Sequence, residues 1–179
     1  MQWWGVGEYG GELWRPRESR GERGITMATA GSSAPRFVGN FEHALDDKGR
    51  LILPSSFRPK LAEGAFVTPL DHCLAILPAA EFDRMADALE EQVAAGEVDV
   101  NALRAFASQA DEVVPDSQGR VRLLPHLREI AGLDRAVIVT GALRRIEVWN
   151  PERWADVSPA GTEKLADAIE RGHGLAARS

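Results

Sequence analysis

The chain has 179 residues, of which 44% are hydrophobic, and it carries 27 acidic against 21 basic side chains. This length suits one medium domain or two small ones with a sizeable core. The net charge of −6 excludes a chain that is basic throughout but is compatible with a local basic face. A single cysteine, Cys73, excludes a disulfide framework and a cysteine zinc site, and no apolar run reaches the ~20 residues of a membrane span. We therefore expect a cytoplasmic protein that uses no membrane, metal or cofactor.

The first 36 residues differ in composition from the rest of the chain. Residues 1–36 are rich in Gly, Trp, Arg and Ser and show neither helical nor strand periodicity. They lack the continuous apolar stretch of a signal peptide. We expect this extension to be disordered or not part of the natural protein, since Met27 begins a small, polar leader directly before the first patterned residues.

Residues 37–82 predict a strand, a tight turn, a short strand, a brief helix and a hairpin. Asp46 can bond its own backbone at the start of the turn, and Gly49 supplies the positive φ at its end. Pro54 occupies the favoured first-turn position of the brief helix. The apolar stretches 65–68 and 74–77 are expected to pair as the hairpin.

An acidic helical insert is predicted over residues 83–110. Nine acidic residues between positions 81 and 112 face only two arginines. Phe82, Met85, Leu89 and Val93 recur at spacings of three and four, which is typical of an amphipathic helix, here opened by Pro78. Gly96 should end that helix, and a cap at position 99 or 101 should begin a second, shorter one.

The first unit is repeated over residues 111–157. Asp46, Gly49, Arg50 and Arg58 are matched at a constant offset of 70 residues by Asp116, Gly119, Arg120 and Arg128. Pro125 is expected to open the brief helix of the second copy. The remaining residues, 158–179, predict a weak helix or a disordered tail to which we assign no function.

Two copies of such a short unit bury little apolar surface when they fold separately. Intertwined, they can close a small barrel with no free edges. We therefore expect an α+β fold, mainly β, in the form of a pseudo-twofold barrel built from two repeats with an acidic helical insert.

The doubled Asp-x-x-Gly-Arg block, the acidic insert and the closing sequence IEVWNPERW resemble the MraZ family of bacterial proteins over about residues 37–157. The resemblance implies two AbrB-like swapped-hairpin repeats. It further implies a DNA-binding transcriptional regulator, a repressor associated with the nucleoid, that controls the division and cell wall gene cluster including its own promoter. The family assembles into a ring-like homo-oligomer and binds short G-rich direct repeats in double-stranded DNA. Its motif arginine corresponds to Arg50 and Arg120.

Basic side chains cluster around the two turns within an otherwise acidic chain. Arg presents a planar fork that matches guanine in the major groove, and Lys mainly neutralises phosphate. Six residues are candidate DNA contacts: Arg50, Lys48, Arg120, Arg58, Arg122 and Arg128. Four residues are expected to form the turns and orient the arginines: Asp46, Gly49, Asp116 and Gly119. Arg58 and Arg128 have an alternative role as helix caps or as partners of Glu63 and Glu129. In the second turn Gln118 replaces Lys48, which makes that turn less basic.

A protein-interaction module of the antitoxin type is the alternative function. AbrB-like units also occur in antitoxins, and the acidic helix over residues 81–92 is a candidate surface for a partner protein. An enzyme acting on a small-molecule substrate is disfavoured because the sequence has no phosphate-binding loop or HExxH motif, and because Ser55 and Ser56 lack a nearby histidine.

Overall fold

The computed structural model describes residues 36–176, with side chains described as far as residue 171. The predicted extension 1–36 therefore lies almost wholly outside the described residues. Eight strands are present: β1 (Asn40–Ala44), β2 (Arg50–Ile52), β3 (Ala65–Leu70), β4 (Cys73–Pro78), β5 (Asp111–Val113), β6 (Arg120–Arg122), β7 (Ala136–Gly141) and β8 (Ile146–Trp149). Four α-helices accompany them: α1 (Ala79–Ala94), α2 (Val100–Ser108), α3 (Pro125–Ile130) and α4 (Pro151–Ala176). None of these helices is long and apolar enough to cross a membrane.

Six strands form one antiparallel sheet in the order β1-β7-β8-β4-β3-β5. The first strand of each repeat pairs with the hairpin of the other repeat, because β1 adds to β7 and β5 adds to β3. The two short strands β2 and β6 pair only with each other, as a separate two-stranded ribbon. A fourth pairing between the repeats joins β4 to β8 in the middle of the sheet. The repeats are thus intertwined, and the mainly β, mixed fold expected from the sequence is confirmed.

The sheet is open, in contrast to the predicted barrel without free edges. Strands β1 and β5 lie at its two ends, and each has a neighbour on one side only. The ribbon does not bridge those ends, since β2 touches the β1 side through the isolated bridge between Leu45 and Leu51 alone. Each ribbon strand is only three residues long, so its unpaired edge offers few backbone groups with which to close the sheet.

One hydrophobic core is shared by both repeats and lies beneath the ribbon. Leu51 and Val121, opposite each other in the ribbon register, are both buried in it. Phe57 packs edge-to-face against Phe37 and Phe41, with ring centroids 5.3 and 5.5 Å apart. Since the ribbon contributes one side chain from each strand to this core, its opposite face is directed outward.

The brief helices of the two repeats differ. In the second repeat α3 begins at Pro125, as predicted. In the first repeat Pro54 begins a turn, and a 3₁₀ helix follows at Arg58–Leu61 with Pro59 in its first turn. The prediction that Pro54 opens this helix is therefore wrong. A second proline five residues later offers another helix start, and the chain uses that one.

The acidic insert is attached to the sheet through aromatic rings. Phe66 of β3, Phe82 of α1 and Phe106 of α2 stack in series, with centroids 4.1 and 4.9 Å apart. The side chain of Asp99 accepts a hydrogen bond from the backbone N–H of Asn101 and caps α2. This stack buries one face of α1 and leaves its acidic face exposed.

The last helix continues well beyond the closing strand. The side chain of Asn150 accepts bonds from the backbone N–H groups of Glu152 and Arg153 and so begins α4. Arg153 Nη1 donates to the carbonyl oxygens of Ala131 and His72, which ties the first turn of α4 to both repeats. The helix includes Pro159 and runs to Ala176, through most of the segment for which a weak helix or disorder was expected.

Candidate nucleic-acid interface

The first turn is organised by the carboxylate of Asp46. Its Oδ1 accepts hydrogen bonds from the backbone N–H groups of Lys48 and Arg50, both at 2.9 Å. Its Oδ2 accepts the guanidinium Nε of Arg50 at 2.6 Å. The N–H of Gly49, at φ +71°, donates to the Asp46 carbonyl oxygen at 2.8 Å. A short acidic side chain at the start of the turn therefore fixes both the backbone and the arginine that follows it.

The second turn repeats this arrangement bond for bond. Asp116 Oδ1 accepts the backbone N–H groups of Gln118 and Arg120 at 2.9 Å, and its Oδ2 accepts Arg120 Nε at 2.8 Å. Gly119 has φ +74° and donates to the Asp116 carbonyl oxygen at 2.7 Å. The expected turn-forming residues thus lie together in two nearly superposable turns.

Both turn aspartates are held in the charged form. The backbone N–H of Arg50 is the largest influence lowering the pKa of Asp46, and its guanidinium adds to the effect. The backbone N–H of Arg120 lowers the pKa of Asp116 in the same way, again with the help of its guanidinium. Each arginine uses Nε for this pair, and within residues 36–176 its Nη1 and Nη2 atoms make no hydrogen bond. The side chains remain 30% and 23% exposed, which leaves the terminal nitrogens for an outside acceptor.

The β2–β6 ribbon joins the two turns into one rigid surface. Arg50 lies opposite Arg122, and Ile52 lies opposite Arg120. Beyond the ladder, the N–H of Leu123 donates to Gly49 O and the N–H of Leu53 donates to Gly119 O, both at 2.9 Å. Because alternate residues of a strand share a face, the outward face of the ribbon carries four side chains: Arg50, Ile52, Arg120 and Arg122.

Arg58 and Arg128 lie beneath the turns of the opposite repeats. The guanidinium of Arg58 packs against Gly119, where any Cβ would overlap it. The guanidinium of Arg128 packs against Gly49, at 3.0 Å from the position a Cβ would take. Arg58 Nε donates to the Leu53 carbonyl oxygen at 2.9 Å, whereas Arg128 Nε is buried and has no partner among the described residues.

These contacts give the turn glycines a second role that sequence reasoning missed. Each leaves room for a long side chain from 61 or 79 positions away in the sequence. The pairs proposed with Glu63 and Glu129 are not formed within residues 36–176. Local periodicity carries no information about packing between repeats, so the sequence did not indicate these contacts.

Exposed charges complete the surface. Lys48 lies exposed in the first turn, and Gln118 takes the corresponding exposed position in the second. Asp47 and Arg135 form an exposed ion pair at 3.4 Å. Elsewhere Asp83, Asp87, Glu90 and Glu91 of α1 are exposed, whereas Glu81 is buried and accepts hydrogen bonds from Arg84. Among residues 36–176, no three His, Cys, Asp or Glu side chains are grouped as a metal ion would require.

A two-stranded ribbon of this kind is narrow enough to enter the major groove of B-DNA. Two of its outward arginines, Arg50 and Arg120, are held by aspartates, and the buried face of the ribbon packs into the core. The exposed acidic residues of α1 would repel a polyanion, in contrast to the arginines of the ribbon face.

Known proteins resemble this chain over about three quarters of its length. A family model described as "MraZ protein, putative antitoxin-like" matches it twice, over residues 37–100 and 106–173. The chain is 42% identical over 137 residues to a protein of Salinispora arenicola named Transcriptional regulator MraZ, covering 76% of this chain and 96% of that one. Proteins of the same name from Saccharopolyspora erythraea and Cutibacterium acnes are 42% and 39% identical over 135 and 136 residues. Those matches cover 75% and 73% of this chain and 94% and 93% of the relatives.

Proposed function

This chain belongs to the MraZ family, and from that premise we propose that it is a transcriptional regulator that binds double-stranded DNA through the β2–β6 ribbon. The operator we propose is a set of short G-rich direct repeats in its own promoter. The regulated genes are then those of the division and cell wall cluster, and repression follows from occupying that promoter. Such a protein acts at the nucleoid.

The observation that carries this proposal is the pair of matched Asp–Arg turns. The salt bridge occupies Nε and leaves the two Nη atoms of each arginine without a hydrogen bond among residues 36–176. Two parallel N–H donors are what O6 and N7 of guanine accept in the major groove. Lys48 and Arg122 add charge for the phosphates on either side.

We propose that several copies associate, in a ring-like homo-oligomer, when they bind. An apolar surface of the described chain supports this. Helix α4 leaves Val157 and Leu165 45% and 60% exposed. Linked ribbons raise the effective concentration for each further repeat, so affinity depends on repeat number and spacing.

The test is an anisotropy titration of the full chain against the duplex upstream of its own gene, beside a scrambled duplex, at two salt concentrations. We expect preference for the upstream duplex and steep weakening with salt, because phosphate contacts release counterions. Arg50→Ala should remove a base contact of about 1–3 kcal/mol per module. Equal binding to both duplexes, or an unchanged affinity of Arg50→Ala, contradicts the proposal.

Partner capture of the antitoxin type is the second candidate function. It is supported by the exposed acidic face of α1 and by the antitoxin-like description of the matched family. Under this alternative, Arg50→Ala leaves partner binding intact, and charge-reversing substitutions at Asp83 and Asp87 abolish it. A pull-down with these two variants separates the candidates.

A further inference from the structure

The two ends of the ribbon have the same backbone but different side chains. We call them the turn 1 end, which follows Asp46 to Gly49, and the turn 2 end, which follows Asp116 to Gly119. At the offset of 70 residues, Lys48 corresponds to Gln118, and Ile52 corresponds to Arg122. Each repeat therefore carries one cation that its counterpart lacks. The positions of these two cations decide whether the two ends of the ribbon have equal charge.

The strand register places both of these extra cations at the same end. Arg122 lies directly opposite Arg50, the first residue after turn 1. Lys48 belongs to turn 1 itself. The turn 1 end therefore has Lys48, Arg50 and Arg122 on an exposed surface, and the turn 2 end has Arg120 beside two uncharged residues.

The uncharged residues of the turn 2 end are Gln118, which is exposed, and Ile52, which lies opposite Arg120 and is itself 49% exposed. An apolar side chain thus occupies the outward face where the turn 1 end has a guanidinium.

Within the ribbon and its two turns, the other charges do not cancel this difference. Asp47 has no acidic counterpart in turn 2, but it is paired with Arg135 and the pair is neutral. The packed arginines are balanced, since Arg128 lies against Gly49 at one end and Arg58 lies against Gly119 at the other. The turn 1 end retains an excess of two positive charges.

We infer that the ribbon binds DNA with a fixed polarity: the turn 1 end makes the dominant contact, through Lys48, Arg50 and Arg122, and the turn 2 end makes a weaker one through Arg120. The inference rests on the proposed function and adds the orientation of the DNA on it. A pseudo-symmetric backbone with asymmetric charge fits an asymmetric DNA element in one direction, so successive modules read repeats that point the same way.

The two turn arginines provide a matched pair of variants. Arg50 and Arg120 each make one side-chain bond to their aspartate, through Nε, so substitution by alanine removes the same bond from both turns. We expect Arg50→Ala to weaken binding of the full chain to its upstream duplex about tenfold more than Arg120→Ala does. Lys48→Gln should also lower the salt slope of log affinity by about 1.

A variant in which the charges of the two ends are exchanged tests whether the unequal charge causes this difference. The four substitutions Lys48→Gln, Ile52→Arg, Gln118→Lys and Arg122→Ile exchange the ends and keep the total charge. All four positions are exposed, so the swapped protein should fold, which thermal unfolding verifies. In this background the inference predicts the inverse order, with Arg120→Ala now the more damaging substitution.

The outcomes are distinguishable. Inversion of the order supports the inference. Equal losses for Arg50→Ala and Arg120→Ala, or an unchanged order in the swapped background, overturn it while leaving the proposed DNA site in place. If neither arginine variant weakens binding in either background, the proposed function fails with it.

Discussion

Asp46 and Asp116 orient the arginines of the proposed binding surface but are not themselves proposed to contact DNA. Each is an anion placed where a polyanion is proposed to bind, so its direct electrostatic effect on DNA is unfavourable. Its value lies in the three side-chain hydrogen bonds that fix the turn and the following arginine. If its bonds dominate, removing the carboxylate should weaken DNA binding. If its charge dominates, removing it should strengthen DNA binding.

We predict that Asp46→Ala weakens DNA binding although it removes a negative charge. The reason is that Arg50 loses the partner that orients its guanidinium. Asp47→Ala is the matched control, since it removes the same charge one residue away without disturbing the bonds of the turn. Anisotropy titrations of both variants check this. Tighter binding of Asp46→Ala would show that its charge matters more than its bonds.

Gly119 is required for space as well as for φ. We predict that Gly119→Ala lowers the free energy of unfolding by more than Gly96→Ala does. Both glycines have φ +74°, so each substitution carries the cost of a left-handed alanine, about 1–2 kcal/mol. A Cβ at Gly119 also meets Arg58, whereas nothing lies within 4 Å of one at Gly96. Urea unfolding of the two variants measures the excess, and equal losses would mean that Arg58 moves aside freely.

At the scale of elements, the sequence predicted local units well and their long-range contacts poorly. The Asp and Gly spacing indicated both turns, and the apolar periodicity indicated α1 and α2 close to their observed bounds. The start of the first brief helix was misplaced because Pro54 and Pro59 offer equivalent signals. The packing of Arg58 and Arg128 under the opposite turns was not accessible, since it depends on the register between β2 and β6.

Helix α4 contains an interior proline that should weaken it. Pro159 has no N–H to donate to the carbonyl of Ala155, and an interior proline costs a helix about 3 kcal/mol relative to alanine. We predict that Pro159→Ala slows amide hydrogen exchange over residues 160–168. A Cβ at Gly161 would meet nothing within 4 Å. Gly161→Ala should therefore slow the exchange less, because glycine costs a helix only about 1 kcal/mol relative to alanine. No slowing in Pro159→Ala would mean that a contact elsewhere already holds this helix.

For the whole molecule, the ribbon connects the two repeats, and both of its turns depend on charged carboxylates. The pKa values of Asp46 and Asp116 are lowered from their ordinary value of 3.8, so their stabilising effect is fully present above that pH. It is lost as the pH falls through the lower pKa values of the folded state. We predict that the stability difference between the wild type and Asp116→Asn is largest near neutral pH and shrinks in acid. Thermal unfolding followed from pH 7 to pH 2 checks this, and a difference that grows in acid would reverse the sign of the linkage.

The exchange of strands between repeats of one chain also affects which side chains the two ends of the ribbon can acquire during evolution. In an intertwined dimer of identical chains, every substitution appears twice and the symmetry of the surface is enforced. Here both halves lie in one polypeptide, β1 completes the sheet of the second repeat and β5 that of the first, so neither half is complete alone. Each half can nevertheless mutate independently. Position 48 can acquire a lysine while position 118 keeps a glutamine. Covalent linkage of the two repeats thus keeps the shared backbone arrangement and allows the two ends of the ribbon to carry different side chains.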